Sequence, residues 1–233
     1  ASADPLVKHG AITCLYVEDQ TNFLQIVNAL EHAYLWHRSH VPDAHWIRWI
    51  QSIAHDSNPN RRLDAVRFVS DLTDLADDKR VIQLVESLLA DEQADVRFNA
   101  LLAAAELFGV ARHRRIYRVL IQSCTKDSQP LIARHAWMLM GLVGGSQKPA
   151  VNWQTHHPPD VAQAMLWAWL YTHPDNPLPA IEVLGNDNIH ATIQAMAVYA
   201  LSLSNTQAAQ DKLARLVHTH PQRVTSANLL QIW

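Results

Sequence analysis

The chain has 233 residues and a formal charge of −3, with 48% of its residues apolar and 18% charged. That composition excludes a disordered tail, and the slight excess of acid offers no general attraction to a polyanion, which argues against nucleic acid as the partner. Cys14 and Cys124 lie far apart and form no CxxC or CxxCH unit, which excludes a zinc ribbon, thioredoxin-like chemistry and c-type haem attachment, so each reads as a small buried hydrophobe.

No apolar run reaches the roughly 18 residues of a membrane span; the longest, Val161 to Tyr171, is about half that and carries a Gln. The opening Ala1-Ser-Ala fits a processed secretory signal, an engineered remnant or an excised domain, so a cytoplasmic and a periplasmic or secreted location both stay open.

In chain order, residues 1–42 are the least regular and read as a divergent N-terminal cap. Ala11 to Val17 reads as a short strand or a first helix, and a helix is expected from about Thr21 to His37, ended by Pro42. Asp43 then caps a helix whose buried stripe is Trp46, Ile47, Trp49, Ile50 and Ile53. Asp56 to Asn60 forms a turn, and Arg62 to Leu75 a partner helix with Ala65, Val66, Val69 and Leu72 inward.

The unit then recurs. Arg80 to Ala90 and Asp95 to Phe108 flank a turn at Asp91, with Gly109 as the stop; Arg114 to Cys124 and Leu131 to Leu142 flank a turn at Asp127, with Gly144-Gly145 ending the unit. Each turn Asp is followed nine residues later by an Ala inside the next helix, in the pairs Asp56/Ala65, Asp91/Ala100 and Asp127/Ala136. Intervals of 35 and 36 residues between the aspartates match helix pairs that bury their apolar faces only by stacking on neighbours.

Residues 145–159 break the pattern with a polar, Pro-rich loop in place of a first helix. Asp160 to Tyr171 is helical again. A shorter pair, Pro179 to Leu184 and Ile189 to Leu203, turns on Gly185 to Asn188 and places Ala195 where earlier units have their Ala, and a closing pair runs from Gln207 to His218 and Gln222 to Trp233. The expected fold is all-α: one domain, an α-solenoid of about five to six antiparallel helix pairs, regular over 43–144 and divergent over 160–233.

The segments Asp91-Glu-Gln-Ala-Asp-Val-Arg-Phe-Asn-Ala100 and Asp56-Ser-Asn-Pro-Asn-Arg-Arg-Leu-Asp-Ala65 resemble the inter-helix turn and second-helix start of HEAT-like repeats. The resemblance covers residues 43–144 well and Pro179 to Leu203 passably. It implies a curved, right-handed superhelix and a ladder of ion pairs between successive turns, with Asp56, Asp91 and Asp127 as turn acids and Arg62 and Arg97 in the matching basic position. The third unit departs from the family by placing Ala133 there and its Arg one residue later, at Arg134.

Chemistry-bearing clusters are few. His37, His40 and His45 have roughly metal-like spacing but span a helix end and a proline, so they read as helix-end side chains, and no metal or other cofactor is expected. Paired carboxylates, Glu18/Asp19 and Asp77/Asp78, fall at helix ends, where capping explains them. His156-His157 sits in the irregular loop. The run Arg112-His-Arg-Arg115 with Arg118 concentrates cations at a helix start, where the dipole prefers acids, and stacking would join Arg97 and Arg134 to it as a stripe. Trp167 and Trp169 lie about 200° apart around a helix, so both cannot face inward, and one is left as an anchor for a partner or covered by the loop.

No GxSxG, phosphate-binding glycine loop or HExxH occurs. The reading is a non-catalytic scaffold, or a module of a larger protein, that binds an extended or helical protein partner through the concave face lined by the second helices and through the Ser146 to Pro159 loop, with Arg97, Arg114, Arg115, Arg118, Arg134 and Trp167 as contact residues. The alternatives are a HEAT-like enzyme or accessory factor of the base-glycosylase or bilin-lyase type, and a spacer within a larger assembly.

Overall fold

The structure, a computed structural model, describes residues 43–145 and 156–221. The expected N-terminal cap with its helix to His37, Cys14, most of the Pro-rich loop and the expected last helix from Gln222 lie outside the described residues. Among those described, the chain is helical and contains no strand.

Its helices in order are α1 (Asp43–Ala54), α2 (Pro59–Ser70), α3 (Lys79–Leu89), α4 (Ala94–Val110), α5 (Arg114–Ser123), α6 (Pro130–Leu142), α7 (Pro159–Thr172), α8 (Leu178–Val183), α9 (Ala191–Leu203) and α10 (Gln207–Thr219), with 3-10 turns at Thr73–Leu75 and Cys124–Lys126. Proline starts α2, α6 and α7, where its missing N–H would have no intrahelical partner. Each helix packs on the next in sequence up to α6. A second set of contacts joins α2 to α4, α4 to α6, α6 to α7 and α7 to α9, while α3 and α5 pack together beside them.

Packing divides into two apolar clusters that meet on α6. Ile132, Ala136 and Met140 belong with the core built by α1 to α5, whereas Ala133 belongs with the core of α7 to α10 and Trp137 packs against it. The recurring alanines mark the tight crossings: Ala65, Ala100 and Ala136 are all buried. In the later unit the expected Ala195 is buried as well, and the Ala seven residues after the helix N-cap, the spacing of the earlier units, is the buried Ala197. The turn between α8 and α9 is two residues longer than the others, since its Asn186 precedes the helix N-cap His190 by four residues and Asp91 precedes Gln93 by two.

Two glycine expectations come out differently. Gly109 does not stop its helix: α4 continues to Val110 and closes with the Ala111 amide donating to the Leu107 carbonyl. Gly144, at φ +70°, does end α6, with its amide donating to Gly141 and that of Gly145 to Met140, a Schellman arrangement that needs a left-handed residue. A third glycine matters for packing. A Cβ on Gly141 would lie 2.8 Å from the Trp167 ring and 3.0 Å from Cα of Ala168, so α6 and α7 approach backbone to backbone only because Gly141 has no side chain.

Candidate functional site

The turn aspartates and helix arginines build one arrangement twice. Arg62 donates through Nε (2.7 Å) and Nη2 (2.9 Å) to the Asp91 carboxylate, and through Nη1 to the carbonyls of Asp56 and Ser57 in its own turn. Arg97 repeats it at 2.7 and 2.9 Å on Asp127, with Nη1 on the carbonyls of Asp91 and Glu92. Each aspartate also accepts the backbone N–H two residues on, at Asn58, Gln93 and Gln129, so at Asp91 and Asp127 one carboxylate shapes its turn and receives the preceding unit's arginine. Burial pushes the Asp127 carboxyl up, but the bonds from Arg97 and the Gln129 amide outweigh it and hold the group below the usual carboxylate range.

The series then changes chemistry. Ala133, four residues past the α6 N-cap, is buried where Arg62 and Arg97 stand. Arg134 lies half-buried one step around the helix. In α9 the equivalent position is Gln194, whose amide donates to the carbonyls of Ile189 (2.9 Å) and Asn186 (3.4 Å), and Asn186 itself accepts the Asn188 amide. A neutral Asn/Gln pair thus copies the local half of the Asp/Arg clasp. The shared N-cap spacing was its sequence signal, hidden by the two extra turn residues.

A second fastening joins α3 to α5 at their N-terminal ends, beside the basic run. The Asp77 carboxylate accepts the backbone amides of Arg112 and His113 and contacts His113 Nδ1 at 3.0 Å, supplying in trans the acid that the start of α5 lacks in sequence. Those backbone bonds hold the Asp77 carboxyl below its ordinary value. Asp78 accepts the Arg80 amide at the start of α3 and pairs with the Arg80 guanidinium. Beside them the buried Tyr117 hydroxyl donates to the Ala76 carbonyl at 2.6 Å, and burial pushes its pKa up to about 12. Sequence reasoning passed over Tyr117, since one tyrosine on an apolar face carries no motif.

The arginines named as contacts are thus put to different uses. Arg97 is held by Asp127, with 13% of its side chain exposed. Arg114 donates to the Gly109 carbonyl at the end of α4 and lies over the Phe108 ring, which places its charge at a helix C-terminus, where the dipole favours it. Arg118 lies along Gly145, with its Nε buried and without a hydrogen-bond partner among the described residues. Arg112 and Arg115 are exposed. His156 and His157 are exposed just before α7. Among the described residues no group of three or more His, Cys, Asp or Glu side chains is placed to hold a metal, and no helix is long and apolar enough to cross a membrane. Of the His37/His40/His45 cluster, the first two lie outside the described residues. Burial raises the Cys124 thiol to about 11, so it is protonated and unreactive at neutral pH.

Trp169 is the inward member of its pair: it is buried, donates to the Asn176 carbonyl and stacks on His173 at 3.8 Å. Trp167 is half-buried, with its ring edge against Gly141 and its face stacked on Tyr171 at 5.1 Å. The two rings form one wall of a groove of about 400 Å³ between α7 and α9, closed on the far side by Met196, Tyr199 and Leu203. No lining residue carries a formal charge. Across α6, α7 and α9 only Arg134 and Asp160 do, whereas α2 alone carries Arg61, Arg62, Asp64 and Arg67. Leu131, Leu142, Tyr171 and Leu203 on these three helices are more than half exposed.

These features define a class, an all-α protein of helices packed in sequence and fastened by recurring side-chain clasps. No protein-family model matches the chain, and no curated protein matches it in sequence.

Proposed function

We propose that the chain is a HEAT-like solenoid that serves as a protein-interaction scaffold, with its second helices forming the binding face and the α7/α9 groove as the main contact. The observation that carries this reading is the nearly charge-free surface of α6, α7 and α9, with exposed Tyr171 and Leu203 lining a groove walled by Trp167 and exposed Leu131 and Leu142 on α6. Contiguous exposed apolar surface of this kind marks interaction sites, and a half-buried Trp between aromatic neighbours is the usual form of a binding anchor. The clasps support it as well, because a scaffold gains affinity when its contact surface is held in one shape before the partner arrives. Arg112, just before α5, and Arg115, in its first turn, are exposed away from this groove and act on its partner as steering charges at most.

The test immobilises the protein, captures binders from a lysate of its source and compares Leu203→Asp with Arg115→Glu, both checked for helical content. A stoichiometric protein lost with Leu203→Asp and retained with Arg115→Glu supports the groove. Loss with Arg115→Glu alone moves the contact to the basic run, and no enriched protein favours the spacer reading. A salt-dependent shift of duplex DNA or a co-purified pigment would replace the scaffold with an enzyme of the same repeat architecture.

A further inference from the structure

The repeat makes α3 and α5 comparable position by position. They align with a shift of 36 residues, the interval between Asp91 and Asp127, and the buried Val81, Leu84 and Val85 correspond to the buried Tyr117, Leu120 and Ile121. On the solvent side of this register α3 is polar: Arg80 pairs with Asp78, and Gln83 and Glu86 are exposed. In α1 the position of Gln83 is held by the exposed Arg48. α5 places Ile116, Val119 and Gln122 at the positions of Arg80, Gln83 and Glu86. Ile116 is 40% and Val119 56% exposed, so two branched apolar side chains one turn apart face water where the sister helix is polar.

Charge changes at the same place. His113 and Arg114 stand where α3 is preceded by Asp77 and Asp78, Gln122 stands where α3 has Glu86, and α5 contains no acidic residue. Arg114 is spent on the Gly109 carbonyl and the Phe108 ring. Arg112 and Arg115 are exposed and make no ion pair among the described residues. The face of α5 thus carries one sign of charge beside an exposed apolar turn.

That combination selects among occupants. Nucleic acid phosphates would meet the arginines but leave Ile116 and Val119 without apolar partners, and the chain's charge of −3 opposes a polyanion. A neutral or cationic segment would cover the apolar turn and leave the arginines unpaired. A protein segment with carboxylates beside an apolar stripe meets both halves, and each carboxylate can take a guanidinium in a bidentate pair. Arg115 to Ser123 rises about 12 Å, the length of roughly two turns of a partner helix.

We propose that the solvent face of α5 is a second docking surface, separate from the α7/α9 groove, for an acidic amphipathic helix of a partner protein that sets carboxylates against Arg112 and Arg115 and its apolar stripe against Ile116 and Val119.

The experiment titrates the whole protein at low salt with a helical peptide whose Leu stripe is flanked by Glu. The same peptide with Lys for Glu, duplex DNA and anionic phospholipid vesicles are titrated separately. Calorimetry reads the heat, and NMR reads the Ile116 and Val119 methyl groups and the Trp167 indole N–H. The Glu/Leu peptide is expected to saturate, to shift both methyl groups and to weaken as salt rises. Arg112→Glu and Arg115→Glu should each weaken it by about two- to fivefold and Val119→Asp by at least about tenfold, with helical content retained. Arg48→Glu, the same charge change at the Val119 position of α1, should alter it by less than about twofold. No saturable binding, binding indifferent to Arg115→Glu and Val119→Asp, or equal binding of the Lys/Leu peptide overturns the proposal, as does tighter binding of DNA or vesicles at the same methyl groups. If the Glu/Leu peptide moves the Trp167 signal and neither methyl group, the contact is the groove's and the α5 assignment falls. Because Val119→Asp and Leu203→Asp report on different helices, failure of the groove leaves a positive result at α5 standing.

Discussion

Removing Arg97 should cost the protein far more than a surface arginine would. Its guanidinium makes two bonds to Asp127 and two to the carbonyls of Asp91 and Glu92, and the paired side chains are only 13% and 9% exposed. Breaking a buried pair by deleting one partner leaves an uncompensated charge and costs about 3–5 kcal/mol; the slight exposure here places Arg97→Ala near about 3 kcal/mol. Arg97→Lys should lose most of that as well, because an ammonium cannot span a carboxylate and two carbonyls at once. Urea unfolding followed by circular dichroism measures both, with Arg67→Ala as the control: that side chain is 65% exposed and its removal should stay within about 0.5 kcal/mol. A double-mutant cycle with Asp127→Ala should give a coupling of about 1–3 kcal/mol. A loss below about 1 kcal/mol for Arg97→Ala, or a coupling near zero, would refute the view that the clasp holds adjacent units together.

Two glycines should respond in opposite directions to alanine. Gly141→Ala drives a Cβ to 2.8 Å from the Trp167 ring and 3.0 Å from the Ala168 backbone and should destabilise by about 1–3 kcal/mol, while Gly109→Ala meets nothing within 4 Å near the end of α4 and should stabilise by about 0.5–1 kcal/mol; equal changes in thermal midpoint would contradict the close approach of α6 and α7. The Asp77 carboxyl is depressed in the folded state, so its contribution is present above the unfolded value of about 4 and disappears as pH falls through the folded one. Asp77→Asn should therefore lower the thermal midpoint at pH 7 and flatten its dependence on pH below about 4, and an unchanged acid limb would show that the bonds to Arg112 and His113 do not form.

Helix positions were legible wherever apolar spacing and turn chemistry agree, as at Asp91 to Ala100, whereas the ion-pair partners were implied only by the resemblance to HEAT-like repeats. Around α9 the turn is two residues longer, so the spacing from the turn leads to Ala195 and the spacing from the helix N-cap to Ala197, both buried, and to Gln194. The cap at the start of α5 could not be read locally, because Asp77, which accepts the Arg112 and His113 amides, lies 36 residues upstream of His113 and no local pattern reveals a cap supplied from another unit. Trp167 could be marked from sequence as one of a pair that cannot both be buried. That it faces Tyr199 across a groove depends on how α7 and α9 pack, which periodicity within either helix does not encode.

The contact at Gly141 also bears on how fast the groove can act. Trp167 is braced edge-on against the Gly141 backbone and its face is stacked on Tyr171, so this wall of the groove is held in place by the chain's own contacts before any ligand arrives. Encounter then needs no preceding rearrangement of α7. The observed association rate should rise in direct proportion to ligand concentration, in a single phase, and differences among ligands should be expressed in how long each one stays.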